Sequence, residues 1–218
     1  MLRQTGLLLL GIYKHFISKR SIAKCHVIAV LCFVSVISVK AQDQDKIFVN
    51  ARHRTGFITG FGGHACLNVS YDYRVIFFQA QYYYALFPKI TWGIDILAQP
   101  QYNRTRFRYI STDIDETKGY EFGINAGLVI RKNLFDDLLS LYSLFSAGPH
   151  YVSGVPERQA PGFIFSDNIF LGINIRLSGN TYLDLRAGYR HISNASLKEI
   201  NDGVDNTVLS GGLLFNLK

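Results

Sequence analysis

The chain has 218 residues, 48% of them apolar, with 16 Phe, 13 Tyr and a formal net charge of +7. Six of its 23 Lys and Arg and none of its 16 Asp and Glu fall in the first 41 positions, so the remainder is close to neutral, at 17 basic against 16 acidic residues. A near-neutral body excludes a nucleic-acid partner as the meaning of the positive charge, and the single Cys66 left after Cys25 and Cys32 of the first segment excludes an intramolecular disulfide framework.

Residues 1–41 read as a secretory signal peptide. Arg3, Lys14, Lys19, Arg20 and Lys24 make a long basic region, Val27–Ser38 is apolar apart from small serines, and Val39-Lys40-Ala41 supplies a small residue at the cut. A run of twelve residues falls short of the roughly 20 that a spanning helix needs. Cys32 follows Leu31, not a small residue, which argues against a lipoprotein site. Cleavage after Ala41 leaves 42–218, a length suited to one domain.

From Thr55 onward apolar residues recur at every second position, the period of a strand with two unlike faces. The spacing predicts eight strands at about 55–64, 73–85, 89–100, 118–131, 138–150, 163–177, 180–193 and 206–217. In the fourth, Tyr120, Phe122, Ile124, Ala126, Leu128 and Ile130 alternate with Glu121, Gly123, Asn125, Gly127, Val129 and Arg131. A soluble lipid-carrier barrel would turn its polar face to water, yet this face is mostly Gly, Asn, Asp and Arg. Small and mixed-charge residues suit the inside of a narrow barrel, while Leu, Ile and Phe suit hydrocarbon. Reversed faces in a membrane would set Arg131, Arg176 and Arg186 against lipid, at about 2–4 kcal/mol each near the midplane. The fold expected is therefore all-β, an eight-stranded antiparallel transmembrane barrel of the outer-membrane type in a Gram-negative bacterium.

Connections alternate in the same sense. Those at 86–88, 132–137 and 178–179 are short, and those at 101–117, 151–162 and 194–205 are long. Short turns belong to the periplasmic side and long loops to the outside. Trp92 and Tyr84 then fall at the periplasmic rim and Tyr189 near the outer one, as an aromatic girdle requires. The chain ends Phe215-Asn216-Leu217-Lys218, without a terminal aromatic residue. Arg104, Arg106 and Arg108 alternate within the first of the long connections, between the third and fourth strands, and read as a solvated basic loop, with lipid phosphates as the other reading.

The seventh strand carries the candidate chemistry. Leu183, Leu185, Ala187 and Tyr189 form its lipid-facing set, and His191 and Ser193 share their parity at its external end. Asp205, at the start of the eighth, shares parity with Leu209, Leu213 and Phe215. A base, a hydroxyl and a carboxylate thus converge on one outward patch. Serine is a poor nucleophile until a base takes its proton, and a carboxylate on the far ring nitrogen fixes the tautomer and stabilises the imidazolium. Asn194, Asn201 and loop backbone N–H groups are candidate donors to an oxyanion. The chemistry needs no metal or other cofactor, and His53, His64 and His150 are scattered.

His191-Ile192-Ser193-Asn194-Ala195, followed by Asn201-Asp202-Gly203, resembles the signature of the lipid A 3-O-deacylase family. Phe163-Ile164-Phe165-Ser166 and Gly172 are similar to the family's sixth strand. The resemblance implies an outer-membrane esterase that removes an ester-linked 3-hydroxyacyl chain from lipid A of the outer leaflet. In it His191 would be the base and Ser193 the nucleophile, and the family's Glu falls on Asp205, which is one methylene shorter. The other reading is a non-enzymatic barrel with a structural or surface-interaction role. A pore is discounted, because eight strands leave an interior filled by side chains.

Overall fold

The computed structural model describes residues 51–64, 70–87, 91–110, 116–135, 138–178 and 180–217. The expected signal peptide, its expected cleavage site and Cys66 lie outside the described residues. Eight strands follow one another: β1 (His53–Gly63), β2 (Tyr71–Ala85), β3 (Trp92–Tyr109), β4 (Thr117–Leu134), β5 (Leu139–Val152), β6 (Gly162–Ser178), β7 (Thr181–Ser193) and β8 (Val204–Leu217). Each pairs antiparallel with the next and β8 closes on β1, so the sheet is a complete barrel. Closure pairs every strand on both sides and leaves no free edge, the condition for crossing hydrocarbon with strands.

The barrel is staggered. The row of cross-strand partners from Arg186 runs through Ser210, Gly60, Phe77, Asn103, Glu121 and Val152 to Gly162. Continued by the β6–β7 register, it returns to β7 about ten residues nearer the external end. Such a shift tilts strands by roughly 35–45° to the axis. Cross-strand neighbours taken in the order β7, β8, β1, β2, β3 therefore climb outward.

Alternation decides the faces as expected. Tyr120, Phe122, Ile124 and Leu128 are exposed on the outer wall, while Glu121, Asn125, Val129 and Arg131 are buried inside. The interior is held by ion pairs. Asp95 accepts from Arg54 and from Nε of Arg131 (2.9 Å), and Glu121 accepts from His150 and Arg190. Tyr142 donates to Asp184, and Arg186 donates to Gln79 at 3.1 Å. Each buried charge thus has a partner, without which it would be costly. Arg52 donates to the Tyr84 hydroxyl (3.0 Å) at one end of the barrel, where Lys132 also stacks 5.0 Å over Trp92.

Two strands are longer than the sequence pattern indicates. β3 runs on to Tyr109 beyond Pro100, and β4 to Leu134. Pro100 has no N–H for the β2 ladder, where partners are missing between Gln79–Gln101 and Tyr82–Ala98, yet the same register resumes beyond it. Gln101, Asn103 and Thr105 continue inward and Tyr102, Arg104 and Arg106 outward. Arg104, Arg106 and Arg108 therefore belong to a strand, a correction to their reading as loop.

Candidate active site

β7 is apolar along its outer side because Leu183, Leu185, Ala187 and Tyr189 alternate with the inward Asp184, Arg186 and Arg190. The same alternation carries His191 and Ser193 outward, while Ile192 and Asn194 are buried. Antiparallel pairing with β8 sets His191 directly opposite Asp205. Directly opposed residues are the closest side-chain neighbours in a sheet. Their side chains meet, His191 Nδ1 lying 2.7 Å from Oδ1 of Asp205. With an ionised carboxylate as acceptor, Nδ1 carries the proton, which leaves Nε2 as the basic nitrogen. The Tyr189 hydroxyl donates to the same Asp205 oxygen. The pair is half-buried, at 35% side-chain exposure for His191 and 21% for Asp205.

Ser193 ends β7, opposite Phe165 of β6. Among the described residues its hydroxyl makes no hydrogen bond to His191. The two lie two residues apart on one face, roughly 7 Å at Cα, a gap that rotamer changes of both side chains narrow. Gly203 lies against the imidazole with φ of +70°, and a Cβ there would collide with Cε1 of His191. Glycine is required at this place both by the left-handed backbone and by the ring.

The two asparagines differ. The Asn194 side chain is committed to its own loop: its amide donates to Ile200 O at 2.8 Å and its oxygen accepts from the Lys198 N–H at 3.4 Å. Its backbone N–H donates to Oδ1 of Asn201 at 2.7 Å, which orients the Asn201 amide. Among the described residues the Asn201 side-chain N–H group makes one long contact, 3.3 Å to Ser196 Oγ. Asn194 thus holds the loop, and Asn201 keeps a donor to offer. Ala195 and Ser196 have φ of 51° and 62°, and Asn194 O accepts from Leu197 N–H across them at 3.0 Å, a tight turn just after Ser193.

One neighbour escaped the sequence reading. Asp167 of β6 is opposite His191 on the other side from Asp205, exposed on the outer wall. Its signal was its parity with Ile169 and Leu171, a carboxylate on an otherwise apolar face. Below it an outer-wall cavity of about 620 Å³ is lined by Ala126, Leu128, Phe145, Ala147, Ile169 and Tyr189, with Asp167 and His191 also on its wall. Small alanines on β4 and β5 between larger neighbours make the hollow. His64, just past β1, stacks edge-on against Tyr71 at 4.6 Å, and burial holds its imidazole below the usual histidine value, against the raising fields of Asp205 and Asp72.

A protein-family model described as "Lipid A 3-O-deacylase (PagL)" matches residues 67–213. Among solved structures the chain is similar to Neisserial surface protein A, NspA, at 14% identity over 76% of this chain and 96% of that one, with a TM-score of 0.47. It is also similar to the outer membrane enzyme PagL, at 14% identity over 73% and 97% with a TM-score of 0.44. The outer membrane protein OprG from Pseudomonas aeruginosa follows at 10% identity over 76% and 96%, with a TM-score of 0.43. No curated protein matches the chain.

Proposed function

The chain belongs to the lipid A 3-O-deacylase family, and from that premise we propose that it is a serine esterase releasing an ester-linked 3-hydroxyacyl chain from lipid A, with Ser193 as nucleophile, His191 as base and Asp205 as the orienting acid. The observation that carries this reading is the 2.7 Å His191–Asp205 hydrogen bond on the lipid-facing wall, with Ser193 on the same face. Polar side chains on a wall that otherwise meets hydrocarbon need a reason. A substrate whose ester sits at the acyl–sugar boundary of the outer leaflet supplies one.

In the acylation step Ser193 Oγ attacks the ester carbonyl while His191 Nε2 takes the hydroxyl proton. Asp205 stabilises the resulting imidazolium, and the Asn201 amide is the donor to the oxyanion. The sugar hydroxyl leaves with the proton from His191, and the acyl group remains on Ser193. A water, deprotonated by the same nitrogen, then attacks the acyl-enzyme and frees the 3-hydroxy fatty acid. The 620 Å³ hollow beside His191 is where the departing chain lies. It is apolar and open to the bilayer, so the chain need not leave hydrocarbon to reach the serine.

Mass spectrometry of lipid A incubated with the purified barrel tests the reading. The expected product lacks one 3-hydroxyacyl unit. Unchanged lipid A, or loss of a different acyl chain, would overturn it.

A further inference from the structure

On the other side of the outer wall, cations stand next to cations. Arg74 of β2 is directly opposite Arg106 of β3, which is directly opposite Lys118 of β4. Two residues closer to the periplasm, Arg104 lies between Ile76 and Tyr120. All four cations point outward and are exposed. Like charges directly opposite one another destabilise a sheet, and a barrel wall beside hydrocarbon is a poor place for them. Among the described residues the acidic side chains beside them, Asp72 and Glu116, are fewer than the cations. Asp72 meets Arg74 at 2.6 Å and Arg108 at 3.9 Å, and Glu116 meets Arg106 at 3.4 Å. Among the described residues Arg104 and Lys118 have no acidic partner.

Arg74, Arg104 and Arg106 line one outer-wall cavity of about 890 Å³, with Asp72 and Glu116 also in its wall. Phe61, Ile76 and Leu209 make its apolar part. Charge therefore sits above grease, the profile of an anionic lipid at the level where headgroup meets acyl chain. The height fits too. Tyr189, Thr207, Gly63, Arg74 and Arg106 form one row of cross-strand partners. In a tilted barrel that row climbs outward, so the arginines lie roughly 15–20 Å around the wall from β7 and a few ångströms further out than His191. On a glycolipid whose ester reaches Ser193, phosphates belong at that greater height.

We propose that Arg74, Arg104, Arg106 and Lys118 form a binding site for the phosphate of an anionic glycolipid headgroup, which holds the lipid on the wall in register with Ser193. The proposal rests on lipid A being the substrate. Guanidinium groups suit it because they bind phosphate bidentately and remain charged beside a membrane.

Binding is measured on the detergent-solubilised Ser193→Ala chain, so that the lipid is not consumed, with lipid A and with lipid A stripped of its phosphates. Removing the phosphates should weaken binding about tenfold or more. Arg104→Gln and Arg106→Gln should each lower affinity for the phosphorylated lipid toward that of the stripped one, with the folded barrel verified by its heat-modifiable gel mobility. Variants that keep the full preference for phosphorylated lipid overturn the site. Inorganic phosphate at millimolar concentration that erases the preference assigns the residues to free anions and overturns the headgroup reading. A chain with Ser193 intact that shows the arginine-dependent preference yet releases no hydroxyacyl chain keeps this site and fails the hydrolytic function. Hydrolysis without any phosphate preference does the reverse.

Discussion

Asp205 receives two donors at once, Nδ1–H of His191 and the hydroxyl of Tyr189. Because His191 and Asp205 are directly opposed across β7 and β8, the short aspartate side chain already reaches the ring. In the proposed triad Asp205→Glu should therefore give no gain in rate, since the longer acid must fold back to make the same bond. Ser193→Ala and His191→Ala should each abolish release of the hydroxyacyl chain, read by mass spectrometry of lipid A. A Ser193→Ala barrel that still deacylates would sink the nucleophile. Asp205→Asn should cost roughly 10³–10⁴ in rate, because an amide cannot stabilise the imidazolium and selects the wrong tautomer. Tyr189→Phe removes only a supporting hydrogen bond, and its cost should be about tenfold or less.

At the scale of elements, the site depends on two loops that brace each other. Segment 153–161 and segment 194–203 are tied by Ala160 N–H to Ile200 O (3.1 Å), Asp202 N–H to Arg158 O (2.9 Å) and Lys198 Nζ to Pro161 O (2.5 Å). Gln159 and Asn201 form an isolated bridge between them. These contacts, with the Asn194 N–H to Asn201 Oδ1 hydrogen bond, hold Asn201 near the end of β7. Gly203 closes the segment against the imidazole at positive φ. Gly203→Ala should therefore lower the rate of lipid A hydrolysis at least about tenfold through displaced His191, with heat-modifiable mobility unchanged. A Gly203→Ala chain with full activity would show that the ring has room to spare.

For the whole molecule, the charged interior ties strands together that are not neighbours: Arg190 of β7 donates to Glu121 of β4 and Arg186 of β7 to Gln79 of β2. Asp95 on β3 accepts from Arg54 on β1 and Arg131 on β4. Asp95→Asn strips the shared acid from two buried cations, and the barrel should lose about 3 kcal/mol or more, seen as a lower denaturant midpoint in detergent. An unchanged midpoint would mean that water or another acid takes over. Orientation is testable on cells. A tag inserted within 111–115 should be accessible from outside, and one at 179 should not, because long connections belong to the external side. Opposite labelling would put Ser193 at the wrong leaflet.

Local rules were enough for the wall. Period-two alternation such as Tyr120, Phe122, Ile124 against Glu121, Asn125, Arg131 identified the strands, their faces and the parity of His191, Ser193 and Asp205, because each successive residue in a strand points to the opposite side. The length of β3 was not legible there, since Pro100 and three arginines look like a loop until β2 and β4 supply partners on both sides. Parity also says nothing about register, so that Asp205 stands opposite His191, Asp167 flanks it from β6, and Arg74 faces Arg106 were decided only by pairing. Register is a relation between strands, fixed by closure and stagger of the whole barrel, and no single strand contains it.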